Sequence, residues 1–104
     1  MIVDTLAEET NLVIQRLKLD PGEANYWHSD NCLRFSVVVS GSRLAIEYKD
    51  SGDINEFGVH AGMAGWDYPE DRIHRAINKG GEMYEEVVTF YRDGVDVIPQ
   101  PKFD

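Results

Sequence analysis

The chain has 104 residues, 42% of them hydrophobic and 28% charged, which is the composition of one globular domain with an ordinary core and leaves no room for a second. Nineteen acidic against ten basic side chains give a formal charge of −9, a sign that repels phosphate backbones and anionic lipid heads, so neither nucleic acid nor a membrane surface is an expected partner. Apolar runs such as Val37–Val39 are far shorter than the roughly 20 residues of a bilayer span, residues 1–10 lack the regions of a signal peptide, and Cys32 has no intrachain partner; the expected compartment is the reducing cytoplasm.

Residues 1–10 read as an N-terminal arm, in which only Met1–Glu9 could form a helical turn. From there strand signals dominate, because β-branched and aromatic residues recur in short runs cut by Gly, Pro, Asp and Asn. The first run is 11–19, closed by Asp20-Pro21-Gly22, where proline presets φ and glycine supplies a positive φ. Runs follow at 24–29, at 33–39 up to Ser40-Gly41-Ser42, and at 44–48 up to a hairpin tip at Lys49-Asp50-Ser51-Gly52-Asp53. A fifth spans 55–59 before a Gly-rich stretch, a sixth spans 66–68, and Pro69-Glu70-Asp71 reads as a turn. The last two are 73–78 and 82–91, and 93–104 is an extended tail. No segment holds a 3.6-residue period over eleven positions. Eight short antiparallel strands predict an all-β domain over 11–92, a sandwich or closed barrel.

Two of the three histidines stand in strands near turns: His28 in Trp27-His28-Ser29-Asp30 and His74 in Arg72-Ile73-His74-Arg75. Side chains alternate at period two, so His28 and Asp30 share a face, as do His74, Ala76 and Asn78. Two imidazoles and one carboxylate converging from two strands suit Fe, Mn, Ni or Zn with open coordination positions. Two histidines in a small β domain are equally compatible with a purely structural role. His60, beside the Gly-rich stretch, reads as a surface residue. Cys32 has no basic neighbour in sequence that would activate it. Of Glu85 and Glu86, one faces inward and the other solvent. Some of Tyr26, Trp27, Trp66, Tyr68, Tyr84 and Tyr91 should line a pocket with a polar tip inward.

Gly22, five residues, His28-Ser29-Asp30, three residues, Arg34, six residues, Gly41 is similar in spacing to the first motif of the cupins. Pro69 to Asn78, with His74 two residues after Arg72, is similar to their second. The chain therefore resembles a single-domain cupin of the RmlC-like, type-2 barrel kind, loosely similar to the short cupins grouped with beta-alanine degradation. The resemblance implies a double-stranded β-helix, or jelly-roll barrel, with a site in its mouth, and a homodimer. His28 and His74 fall on ligand positions of the motif, but Asp30 stands where the second His would be and Arg34 where the Glu would be.

Aspartate is a legitimate ligand for a hard or borderline dication. A guanidinium is not a ligand, and an Arg about 5 Å from a dication costs about 6 to 7 kcal/mol at an effective dielectric of about 20. Two arrangements are open. Either Arg34 pairs with Asp30 in a metal-free pocket, or it turns aside and His28, Asp30 and His74 hold the metal. The first function expected is a small-molecule metalloenzyme of dioxygenase, lyase or isomerase type, with Arg34, Trp27, Tyr68 and Glu86 as substrate-binding residues. The alternative is a metal-free cupin that binds a small carboxylate or sugar acid through Arg34, as a binding module or an acid-base isomerase. Asn78 reads as structural, satisfying the turn that follows it.

Overall fold

The computed structural model describes residues 1–92, so the tail reading for 93–104 lies outside the described residues. Nine strands run β1 Ile2–Glu9, β2 Leu12–Leu19, β3 His28–Asp30, β4 Leu33–Ser40, β5 Arg43–Tyr48, β6 Ile54–Gly58, β7 Ala64–Asp67, β8 Glu70–Asn78 and β9 Tyr84–Tyr91. They form a five-stranded sheet in the order β1-β2-β9-β4-β7 and a four-stranded sheet in the order β3-β8-β5-β6. Every pairing is antiparallel. This is the all-β jelly-roll barrel expected from the strand punctuation. No helix among the described residues is long and apolar enough to cross a membrane.

The core lies between the sheets. Leu19, Val38, Leu44, Val59, Ala76 and Tyr84 form one buried cluster, with Leu17 and Ile46 packed against it. Alternation is plain in β8, where His74, Ala76 and Asn78 are buried and the residues between them are not. The crossing from β4 to β5 needs Gly41, whose φ is +133° and whose added Cβ would stand 2.8 Å from the Tyr84 ring. Gly22, with φ +82°, supplies the positive angle that Asp20-Pro21-Gly22 predicted.

Three local expectations are corrected. The helical turn considered for Met1–Glu9 is instead the edge strand β1, paired along β2. The run 24–29 is a strand only over His28–Asp30. There, the Asn25 side chain accepts a bond from the Ala76 amide (2.8 Å) that a strand carbonyl would otherwise take, and this local substitution ends the ladder. The turn read at Pro69-Glu70-Asp71 is displaced: Tyr68 and Pro69 carry the chain between the sheets, and Glu70 and Asp71 already belong to β8. Proline at the edge of that connection satisfies its own limits, having no amide to pair.

Asn78 clasps the two sheets. It is fully buried; its side-chain amide donates to the Leu19 carbonyl at the end of β2 (3.0 Å) and to the Glu82 carbonyl (2.7 Å), while its Oδ1 accepts from the Gly80 amide (3.0 Å).

Candidate functional site

A cavity of about 780 Å³ opens between the sheets. The four-stranded sheet supplies one wall of its chemistry. His28 and His74 are directly paired across β3 and β8, with ring centroids 4.6 Å apart. Asp30 is brought onto the same face past a register irregularity between His28 and Asp30. One oxygen of Asp30, Oδ2, lies 2.8 Å from His74 Nε2 and 3.6 Å from His28 Nε2. One ligand atom from each of the three lies within 4.8 Å of the others.

Both rings are oriented from behind. The Nδ1 of His28 is 2.6 Å from the Tyr26 carbonyl, and that of His74 is 2.7 Å from the Arg72 carbonyl. A carbonyl only accepts, so each Nδ1 carries its proton and each Nε2 is turned toward Asp30. Tyr26 lies in the irregular stretch 25–27, between the Ala24–Ile77 bridge and β3.

The five-stranded sheet supplies the facing wall with Arg34 and Ser36 from β4, Asp67 from β7 and Glu86 from β9. Arg34 points into the cavity. Its Nη1 lies 3.1 Å from the same Asp30 Oδ2, its Nη2 donates to the Tyr68 carbonyl (3.3 Å), and its Nε is buried without a hydrogen-bond partner. A buried donor left unpaired costs about 1–3 kcal/mol, and Nε exposes no surface to the cavity. Ser36 donates to Asp67 Oδ2 (3.0 Å).

Glu86 is flanked across the ladders by Leu17 on β2 and Val38 on β4. Its Oε1 accepts from the Tyr84 hydroxyl at 2.8 Å. Burial pushes the Glu86 carboxyl above the ordinary glutamate value, and the Asp67 and Asp30 charges push the same way against Tyr84 and Arg34. Asp30 goes the other way. Burial would raise it, but contact with His28 and the charges of Arg34, His28 and His74 outweigh that and hold it low. His28 is raised, chiefly by Asp30, against the opposing effect of burial.

His28, Asp30, His74, Arg34, Tyr68 and Glu86 therefore all line one cavity. Trp27 is corrected. It does not line the cavity; its ring is covered by the Arg75 guanidinium (4.3 Å) and the Lys49 ammonium (5.7 Å), on the opposite face from its neighbour His28. Tyr26, Trp66, Tyr68 and Tyr84 line the cavity, and Tyr91 stacks near Trp66 instead (5.8 Å). Glu85 faces away and meets Arg16 at 3.3 Å, which leaves Glu86 as the inward carboxylate of the pair. His60 is exposed, and burial raises the Cys32 thiol rather than activating it. Asp67 and Tyr84 carry site chemistry that the motif spacing did not reveal. The signal was present as strand parity: Tyr84 is two residues from Glu86, and Asp67 pairs directly with Arg34.

No family model and no curated protein matches this sequence. Solved structures do match its fold. A cupin domain from Bordetella pertussis superposes with a TM-score of 0.76 at 16% identity, covering 88% of this chain and 92% of that one. An RmlC-like cupin from Shewanella frigidimarina has a TM-score of 0.62 at 21% identity over 91% and 78% of the two chains. An oxalate oxidase has a TM-score of 0.59 at 21% identity, covering 79% of this chain and 42% of that one.

Proposed function

With the chain established as a single cupin-fold domain, we propose that its cavity is the active site of a small-molecule metalloenzyme of dioxygenase, lyase or isomerase type, in which His28, Asp30 and His74 hold Fe(II), Mn(II), Ni(II) or Zn(II). The supporting observation is the tautomer. Each Nδ1 donates to a backbone carbonyl, so each neutral ring turns a lone pair on Nε2 toward an ionised carboxylate oxygen, 2.8 Å away for His74. Two acceptors that close need a cation between them, a proton or a metal ion. Fixing the far ring nitrogen on a carbonyl is the support that metal-bound imidazoles need.

Two imidazoles and a carboxylate fit a dication with open positions. Arg34 is compatible with it because its charge is met by Asp30 at 3.1 Å, an attraction of about 5 kcal/mol at an effective dielectric of about 20, which offsets most of the repulsion from a metal. A bound metal would supply Lewis-acid or oxygen-activating chemistry. The chain's own residues do the rest: Arg34 orients an anionic group of the substrate through its guanidinium charge, Tyr68 borders the polar wall, and Glu86 faces the bound molecule. The partners of this reading are a small-molecule substrate and a second copy of the chain in a homodimer, which sedimentation velocity tests.

One observation favours a second reading. Asp30 is already engaged by Arg34, and His28, raised by Asp30, can carry the bridging proton itself. The cavity would then bind a small carboxylate or sugar acid through Arg34 without metal, as a binding module or an acid-base isomerase. Elemental analysis of untagged protein, before and after incubation with each of the four ions, separates the two. We expect near-stoichiometric metal that falls at least a hundredfold in affinity in His28→Ala and His74→Ala. Protein that stays metal-free in every condition overturns the metal reading in favour of the second.

A further inference from the structure

The cavity is lined by polar groups, among them His28, Asp30, Arg34 and Asp67, and by Leu17, Val38, Leu44, Ile46 and Val88. Glu86 stands between Leu17 and Val38 in the sheet. Nothing in the metal site uses it. The structure gives its carboxyl one hydrogen-bond partner, the Tyr84 hydroxyl, which donates to Oε1. The charged or titratable groups facing it are Tyr84 on β9, Arg34 on β4, Asp67 on β7 and Asp30 on β3; β2 offers Leu17. The sole cation among them already meets Asp30 through Nη1 and the Tyr68 carbonyl through Nη2. An ionised Glu86 would be a carboxylate between two aliphatic side chains, facing two further carboxylates. The arrangement instead suits an un-ionised acid whose Oε2–H is offered to the cavity.

We propose that Glu86 donates a hydrogen bond to the molecule bound in this cavity, and that this molecule is a small carboxylate bearing an apolar chain. Its carboxylate accepts from the Glu86 Oε2–H on the side of the cavity that Arg34 lines, and its chain lies among Leu17, Val38, Leu44, Ile46 and Val88. The proposal rests on the anionic-ligand part of the reading above and is independent of whether a metal binds. Burial raises the Glu86 carboxyl, in agreement with the geometry.

The test is calorimetric titration of the full chain with hexanoate across pH 5 to 9, on chelator-stripped and on Mn(II)-incubated protein, with hexylamine as the control. Infrared difference spectra of the unliganded protein are recorded alongside. Hexanoate should bind and hexylamine should not. Wild-type affinity should fall by about tenfold per pH unit once Glu86 ionises. Glu86→Gln keeps a donor without a titrating proton, so it should bind within about threefold of wild type at pH 5 and lose that fall; Glu86→Leu should lose at least tenfold. The carbonyl stretch of a protonated carboxyl should be present in wild type and missing in Glu86→Gln, whatever the ligand. A pH dependence that survives in Glu86→Gln would assign it to the imidazoles and overturn the proposal, as would the absence of the protonated-carboxyl band or of any hexanoate binding. Failure of the metal reading appears separately, as no Mn(II) retained by the incubated protein in elemental analysis.

Discussion

Asp30 and Glu86 are two carboxyls in one cavity, on opposite walls, with opposite fates. Asp30, from the four-stranded sheet, is surrounded by cations and cation-ready rings: Arg34 at 3.1 Å, His74 at 2.8 Å and His28 at 3.6 Å. They hold it ionised against the burial that would raise it. Glu86, from the five-stranded sheet, has Leu17 and Val38 beside it and, among the described residues, only a tyrosine hydroxyl to bond. Burial there outweighs the opposing pull of Tyr84 and Arg34 and lifts it. The difference comes from the neighbours that register brings to each carboxyl, and it gives one wall a cation-binding character and the other a proton-holding one.

The largest test asks whether the two walls depend on each other. Asn78, buried in β8, bonds the end of β2 through the Leu19 carbonyl and the turn after β8 through Gly80 and Glu82. Asn78→Ala should cost about 3 kcal/mol in urea unfolding by leaving those groups unpaired, and it should weaken metal and hexanoate binding together. If stability drops while both affinities are unchanged, the walls hold their geometry separately.

A smaller effect sharpens the cation-binding side. Arg34→Gln removes the charge that competes for Asp30 Oδ2, and metal affinity should rise by about tenfold, or ~1.4 kcal/mol, while hexanoate affinity falls. A metal affinity that drops instead would mean that Arg34 positions Asp30 rather than opposing the ion.

The smallest effect is one of sign, and pH reads it. Asp30 is lowered, so its contribution to stability is fully present above the ordinary aspartate value of 3.8 and is lost as pH falls through its lowered folded value. Glu86 is raised, so its unfolded form releases its proton first. Stability therefore declines as pH rises from the ordinary glutamate value of 4.5 through the higher folded value. Thermal melts should show both limbs. Glu86→Gln should erase the decline that starts at 4.5, leaving the acid limb and the later decline that the raised His28 contributes above 6.5; Asp30→Asn should erase the acid limb.

Strand punctuation and period two fixed a good deal from local chemistry alone. Gly22 and Gly41 take the positive φ that their turns demanded. Glu86 rather than Glu85 faces inward because alternation decides it, and His28, Asp30 and His74 meet because the motif spacing sets them on two strands that pair. What sequence left open depends on partners distant in the chain. Met1–Glu9 has too mixed a pattern to choose between helical turn and strand, and the open edge of β2 decides it. Trp27 stands just before the motif histidine, and the Arg75 and Lys49 cations that cover its ring come from residues distant in the chain. Arg34 was compatible with pairing to Asp30 or turning aside; the barrel closes so that its Nη1 reaches Asp30 while its Nε stays bare. The protonation of Glu86 is the clearest case. No local pattern carries it, because it arises from Leu17, Val38, Asp67 and Tyr84 converging from four strands. Electrostatic free energy depends on distances through space and on excluded water, and the chain sets neither until both sheets have closed on each other.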